Sequence, residues 1–292
     1  MPVGLRESSP PAITRRKFIL GSGLTAAGLA VYAGAIARHE IDLVENPVPI
    51  RNLPSVFDGF RIVQISDIHL DEFTEPFFLE HVVKRVNRLA PDLVLVTGDF
   101  VTRGSLTFIS SHHAAYRCAE ILSTLQCPQV YTILGNHDVG VGAPLVIGAL
   151  RSFKIPVLVN EHIPIERGSS RFWLCGSDDA GTRRPDLDLT IPENPDGPLI
   201  LMIHEPDYAD HVVKHPRGNL VDLMLSGHSH GGQVRVPFYG PLILPPMGQK
   251  YVMGRFQFGN MQLYVNRGIG TVGLPFRFDC APELTIHTLR PA

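Results

Sequence analysis

Within Ser226–Gly232, SGHSHGG, two imidazoles stand two residues apart, His228 and His230. On a short extended segment that spacing aims both rings to one side, and neutral imidazole is the commonest metal ligand. The flanking glycines allow a sharp turn and a close backbone approach to whatever the histidines hold. Two histidines alone carry little weight, because most such pairs lie on surfaces or loops. Four further apolar runs, however, also stop at polar residues: RIVQIS at Asp67-Ile68-His69, LVLVT at Gly98-Asp99, VYTIL at Gly135-Asn136-His137-Asp138, and LILMI at His204-Glu205-Pro206-Asp207. The seven side chains Asp67, His69, Asp99, Asn136, His204, His228 and His230 offer oxygen and nitrogen ligands without a thiolate. Such a set suits Mn, Fe or Zn. It is too large for one tetrahedral ion. It fits two divalent ions roughly 3.5–4 Å apart sharing a carboxylate, a geometry that clamps both oxygens of an in-line displacement at phosphorus.

The elements that must position these residues follow from hydrophobic patterning. Val221–Leu225 and the four other runs read as buried strands. Between them, Pro76–Leu89 places Leu79, Val82, Val83, Val86 and Leu89 on one helical face, with Pro in the first turn. Further helices are expected over Ser111–Leu125, Pro144–Phe153 and Tyr208–Lys214, with short strands near Val157–Val159 and Phe172–Cys175. Beyond residue 230 the pattern turns antiparallel: Phe256–Phe258 and Met261–Val265 alternate around Gly259-Asn260, a hairpin signal, and Pro282–Leu289 supplies a last strand. In open α/β sheets ligands bind beyond the carboxyl ends of strands. Five such ends would therefore converge on one site.

The first 37 residues read differently from this body. Thr14-Arg15-Arg16-Lys17 precedes an apolar, Gly/Ala-rich run from Phe18 to Ala37, resembling a bacterial twin-arginine export signal. The run is long enough to span a bilayer, and Ala33-Gly34-Ala35 and Ala35-Ile36-Ala37 are small-x-small cleavage sites, so cleavage and anchoring both stay open. Residues 38–57, with Pro47, Pro49 and Pro54, read as a linker, and 58–292 as one domain. Residues 1–37 carry net charge +3 and the remainder −5, which argues against broad nucleic-acid binding. Cys118, Cys127, Cys175 and Cys280 show no CxxC spacing and are expected to be free, mostly buried thiols.

The ordered series DxH, GD, GNHD, H, GHSH over Asp67–His230 resembles the calcineurin-like metallophosphoesterase family. That resemblance implies a four-layer αββα sandwich, of α/β (α+β) class, with two mixed β-sheets and the metals at one edge. It further implies that Asp67, His69 and His230 bind one metal, that Asn136, His204 and His228 bind the second, and that Asp99 bridges them. A metal-bound hydroxide would attack phosphorus, and His137 would protonate the leaving oxygen or steady the transition state. The phosphatase branch carries GDxxDRG, whereas this chain reads Gly98-Asp99-Phe100-Val101-Thr102-Arg103-Gly104. Thr102 replaces the aspartate that would pair with the catalytic histidine, which counts against a protein phosphatase. Gly231–Pro241, Asn266–Gly270 and Pro275–Glu283 resemble the YaeI/YkuE-like bacterial branch, which couples an export signal or membrane segment to one phosphoesterase domain. The resemblance implies a phosphate-ester substrate, including a nucleotide-linked lipid such as UDP-2,3-diacylglucosamine.

The leading expectation is thus an exported, dinuclear hydrolase of phosphodiester or pyrophosphate bonds. It would use the twin-arginine machinery and reside in the periplasm, the cell wall or at the outer face of the cytoplasmic membrane. A phosphomonoesterase or protein phosphatase, and a non-catalytic scaffold, are the alternatives. Arg103 and Arg267, with Arg277 behind them, are candidates for holding substrate phosphate. Asp178 and Asp179 read as a solvated loop pair, and Phe238, Tyr239, Leu242, Leu244 and Met247 as an apolar stretch for a lipid tail, core packing or a hairpin tip.

Overall fold

The computed structural model describes residues 14–70, 73–104, 111–182 and 185–292, so the first thirteen residues of the expected export segment lie outside the described residues. Two sheets face each other. One has the spatial order β1 (Asp42–Ile50), β13 (Glu283–Pro291), β2 (Arg61–Ile65), β3 (Leu93–Val96), β4 (Val130–Thr132). The other runs β11 (Gly254–Phe258), β12 (Met261–Val265), β8 (Leu223–Ser226), β7 (Leu199–Met202), β6 (Ser170–Gly176), β5 (Glu161–Arg167). The central pairs β2–β3–β4 and β12–β8–β7–β6 are parallel, while β13–β2, β11–β12 and β5–β6 are antiparallel.

Period-two alternation on these buried, mostly apolar strands builds three hydrophobic layers. Ile62, Leu93 and Leu95 point inward to meet Ile200, Met202, Leu223 and Leu225 of the opposite sheet. Val63, Ile65, Val94 and Val96 point outward against Leu79, Val82 and Val86 of α2 (Pro76–Leu89), Leu122 of α3 (Ser111–Leu122) and Val146 and Leu150 of α4 (Asn136–Ser152). On the far side Leu199, Leu201, Met224 and Leu263 meet Leu187 of α5 (Leu187–Thr190) and Ala209 and Val212 of α6 (Ala209–Lys214). The result is the four-layer αββα sandwich with two mixed sheets that the motifs implied. The four cysteines are free, with Cys118, Cys175 and Cys280 buried and Cys127 half-buried.

One polar chain crosses the apolar layer between the sheets. Gln64 Nε2 donates to Thr97 Oγ1 and to the carbonyl of Ser226 on the opposite sheet, each at 3.0 Å. Its Oε1 accepts from His287 Nε2 at 3.0 Å, and His287 Nδ1 accepts from Asn46 Nδ2 at 2.7 Å. Burial, with Arg255 adding to it, pushes the His287 imidazole down to about 3. Below its ordinary pKa the unfolded chain therefore binds a proton that the folded chain refuses, so stability falls as pH drops from about 6.5 towards 3. This linkage is worth at most about 5 kcal/mol. His287→Gln is expected to flatten the dependence of Tm on pH between 6.5 and 4 relative to wild type; an unchanged slope would remove His287 from the account.

Several expectations are corrected. The 38–57 segment is not a plain linker, since β1 pairs along nine residues with β13. The prolines that suggested a linker, Pro47 and Pro49, lie on this edge strand, where a missing N–H costs the ladder nothing on its free side. Helix α4 begins at Asn136 rather than Pro144, with a kink at Gly142 (φ 138°) that separates the two halves. Strand β5 was missed, and Val157 contributes only a bridge to Thr132.

An N-terminal helix, α1 (Arg15–Val31), runs exposed into the 32–39 turns. Residues 15–39 are long and apolar enough to cross a membrane. Its far end is fastened to the domain. Ala33 and Ala37 are buried, Arg38 pairs with Glu75 and with the Phe73 carbonyl, and His39 Nε2 lies 3.2 Å from Glu75.

Candidate metal centre

The carboxyl ends of β2, β3, β4, β7 and β8 meet at one edge of the sandwich, and all seven sequence-chosen ligands come together there. Five of them, Asp67, His69, Asp99, His228 and His230, have φ between 48° and 71°. Non-glycine residues avoid this region, and such strain gathers where surrounding structure over-determines a functional geometry. Each of these five candidate ligands thus sits on a sharp turn just past its strand. Gly227 makes one of these turns possible, because a Cβ there would lie 1.9 Å from Ser66 Oγ and 2.3 Å from Asp67 Oδ2.

Three overlapping groups have converging ligand atoms: Asp67 with His69 and His230; His69 with Asp99 and His137; and Asp99 with His204 and His228. His230 Nε2 lies 3.4 Å from Asp67 Oδ1 and 3.0 Å from His69 Nε2. Two ring nitrogens at that distance repel through their lone pairs unless a proton or cation sits between them. Ligands about 2.1 Å from one ion stand about 3 Å apart, so a cation fits. On the other side Asp99 Oδ2 is 3.1 Å from His204 Nε2 and 3.5 Å from His69 Nε2, placing one carboxylate against both groups. Asn136 Oδ1 is buried without a hydrogen-bond partner among the described residues. An unpartnered acceptor in a cleft is costly, and this one is of the type a divalent ion would satisfy. The donor set therefore fits two ions.

The far nitrogens of the rings are also fixed. His204 Nδ1 meets the Thr97 carbonyl at 2.6 Å and His228 Nε2 the Pro246 carbonyl at 2.8 Å, which leaves His204 Nε2 and His228 Nδ1 as ligand atoms. Burial holds His69, His230 and His228 below the ordinary imidazole pKa, against Asp99 at His69 and with the help of Arg277 at His230 and of His204 at His228, in the neutral form a metal requires. For His204 burial acts the same way, but Asp99 and then Asp67 outweigh it and hold the ring well above the ordinary value. A bound cation would have to displace that proton.

Thr102 has a different task from the aspartate it replaces. Its Oγ1 is 3.0 Å from His69 Nδ1 and so orients a ligand ring. The partner of His137 is instead the backbone N–H of Arg103, which donates to His137 Nδ1 at 3.0 Å. That leaves the proton of the neutral ring on Nε2. Thr102→Ala should lower metal affinity about 10–100-fold, the usual cost of removing a group that orients a ligand. Titration of the metal-stripped protein with Mn²⁺ would measure it, and unchanged affinity would sever Thr102 from the site.

Three placements depart from expectation. The Arg267 guanidinium is engaged by Glu283 at 2.5 Å and Asp42 at 3.1 Å rather than turned to substrate. Arg277 is fully buried and donates to the carbonyls of Arg267, Gly268, Gly270 and Cys280, stapling a loop under Asp67. Asp178 and Asp179 are buried, not solvated. Asp179 accepts from Thr182 N at 2.7 Å, and Glu205 accepts from Ala180 N at 2.9 Å. Arg103 remains exposed beside His137, its stem against Gly140.

Asp138 is the residue whose task escaped the sequence reading. Its carboxylate accepts backbone N–H groups from Asp99 (2.8 Å), Phe100 (2.9 Å), Val101 (3.3 Å) and Gly135 (3.0 Å), fastening the Asp99 turn to the start of α4. Its signal was a carboxylate at the third position of a helix opened by Gly135, a capping position.

A sandwich with two O/N ligand groups sharing a carboxylate beyond its strand ends defines a metal-dependent phosphoester hydrolase of dinuclear type. The chain belongs to the calcineurin-like phosphoesterase family, which its residues 60–232 match. It is 36% identical over 289 residues to the uncharacterized metallophosphoesterase YkuE of Bacillus subtilis, covering 95% of this chain and 98% of that one. It is 30% identical over 297 residues to the phosphodiesterase YaeI of Escherichia coli, covering 95% and 99% respectively. A more distant relative, the UDP-2,3-diacylglucosamine pyrophosphatase LpxG of Chlamydia trachomatis, is 27% identical over 80% of this chain and 86% of its own.

Proposed function

We propose that this chain hydrolyses a phosphodiester or pyrophosphate bond in a lipid-linked substrate, such as a nucleotide-linked lipid, at the outer face of the membrane. The observation that carries the reading is the cleft over the ligand groups. It holds about 330 Å³ and is lined both by polar residues, Asp99, Asn136, His137, His228 and His230, and by apolar ones, Val234, Leu242, Ile243, Pro245, Val272 and Leu274. A phosphate would sit against the polar residues while an apolar substituent covers the apolar ones. The YaeI name and the LpxG name, a phosphodiesterase and a lipid pyrophosphatase, agree with this chemistry.

In this reading Asp67, His69 and His230 hold one ion, Asn136, His204 and His228 the other, and Asp99 lies between them. The ions, of Mn, Fe or Zn type, supply Lewis-acid polarisation of the phosphoryl oxygens and activation of water. His137 donates its Nε2 proton to the departing oxygen, and Arg103 stands at the exposed rim as the remaining candidate for a phosphate oxygen. The replacement of the phosphatase aspartate by Thr102 weighs against a protein phosphatase, and the complete ligand set weighs against a scaffold. The test is Mn²⁺-stimulated turnover of bis(p-nitrophenyl) phosphate against p-nitrophenyl phosphate by the full chain in detergent. Diester preference is expected, and monoester preference would overturn the reading.

The same proposal keeps the N-terminal helix as an anchor after twin-arginine export. Both small-x-small sites fall in the turns where Ala33 and Ala37 are buried and Arg38 and His39 bind Glu75. A protein exported folded would present no extended segment there to a peptidase. The intact mass of the membrane-extracted protein should retain residues 15–37; a mature form beginning after Ala35 or Ala37 would refute anchoring.

A further inference from the structure

We infer that the tip of the β9–β10 hairpin is a second membrane contact, inserting into the lipid surface beside the N-terminal anchor and turning the mouth of the metal cleft towards the bilayer. The inference rests on the anchor reading above. Strands β9 (Arg235–Val236) and β10 (Gly240–Pro241) are joined by a tight turn in which Tyr239 N–H donates to the Val236 carbonyl at 3.0 Å. Pro237 holds its second position and Phe238, at φ 67°, its third. Glycine or asparagine is the stable choice at that third position of a Pro-led turn. An aromatic residue there strains the backbone and contributes nothing to the turn. Phe238 is nevertheless fully exposed, Tyr239 is 76% exposed and Ile243 77% exposed. Water-facing aromatic and aliphatic groups at a strained tip gain free energy only by leaving water.

The occupant follows from continuity with the anchor. Gln233, at the hairpin base, donates through Nε2 to the carbonyls of Val272 (3.2 Å) and Leu274 (2.9 Å), and Leu274 is itself 53% exposed. Arg235 N–H donates to Phe278 O at 2.9 Å, and Phe278 N–H to Gln233 O at 3.1 Å. One residue earlier, Arg277 N–H donates to the carbonyl of Ala33 at the end of the anchor segment, at 3.0 Å. A Cβ on Gly34 would come within 2.9 Å of the Phe276 ring, so the anchor is packed tightly on this same segment. Hairpin, Leu274 loop and anchor base are thus joined by hydrogen bonds, through the Gln233 side chain to the loop and backbone to backbone onward to Ala33. An apolar helix crossing a bilayer would hold this connected apolar patch at its surface, where Phe and Tyr are favoured residues. Leu242, Ile243 and Leu274 also line the cleft, so an acyl chain would pass from lipid to the metal site along apolar side chains.

The full chain, reconstituted into vesicles of phosphatidylcholine and phosphatidylglycerol in equal parts, is the test object. Tyr239→Trp in a Trp173→Phe background places a single indole at the tip, since the chain has one tryptophan. Acyl-chain-brominated phosphatidylcholine should quench that emission by about half, as expected for an interfacial ring. Trp173 of the unmodified chain, on the β5–β6 edge and hydrogen-bonded to Asp196, should be unquenched. Phe238→Asn, which suits the turn, should weaken the quenching at position 239 while leaving turnover of the soluble diester unchanged. Tyr239→Trp emission that bromine does not touch, in vesicles with which the protein floats, would overturn the inference while leaving the anchor reading intact. Failure of the full chain to float with vesicles would instead overturn the anchor reading, and the inference with it.

Discussion

Asp99→Asn is expected to lower diester turnover by at least about 10³-fold, or some 4 kcal/mol of transition-state stabilisation. Asp99 Oδ2 faces His204 Nε2 at 3.1 Å and His69 Nε2 at 3.5 Å, one ring from each proposed ion site, while its Oδ1 accepts the His137 N–H at 2.9 Å. Burial alone would push this carboxyl up, but His204, His69 and His137 outweigh it and hold Asp99 well below the usual carboxylate range. The asparagine side chain preserves the shape but replaces a shared negative oxygen with either a neutral carbonyl or an N–H₂ aimed at metal-ligating nitrogens. Metal content, measured alongside activity, should fall from two ions per chain towards one. Near wild-type activity in this variant would sink the two-ion arrangement, and full activity with one ion would sink the bridging role.

The second large effect is at His137. His137→Ala should reduce kcat about 10²–10⁴-fold, the range for a lost general acid, with KM and metal content little altered. The ring is held by an Arg103 backbone N–H on Nδ1 and stands edge-on to His69, with centroids 4.8 Å apart. This orientation leaves Nε2–H as its free donor beside the ligand groups. A substrate with a much better leaving group should recover most of the lost rate, because it needs no proton. Loss of metal in the variant, or a penalty that ignores the leaving group, would reassign His137 to a structural role.

Both predictions concern residues legible from sequence, and the reason is local. A buried parallel strand is a short apolar run, and the chain must turn where the run stops. Polar residues at five such stops therefore mark one sheet edge without any knowledge of contacts. Less legible were the segments whose state depends on distant partners. Asp42–Ile50 reads as a Pro-bearing linker, yet it becomes a strand because β13 offers it a ladder some 240 residues away in sequence. Arg267 reads as a free cation near a glycine-rich loop, but Glu283 and Asp42 engage it only once β13 and β1 are paired.

What the sequence determined by itself is the inventory of candidate ligands and the apolar N-terminal helix, since residue type, period and order along the chain suffice for both, while the αββα architecture was implied by the resemblance of its motifs to a known family. Tertiary structure alone decided which nitrogen of His204, His228 and His69 faces the site, because that choice is made by carbonyls of Thr97 and Pro246 and the hydroxyl of Thr102. It also decided that Asp138 fastens four backbone amides around Asp99, and that Phe238 stands bare in a turn joined through a neighbouring segment to the end of the N-terminal helix. These are facts of hydrogen-bond direction and exposure, and they exist only after chain segments far apart in sequence have closed on one another.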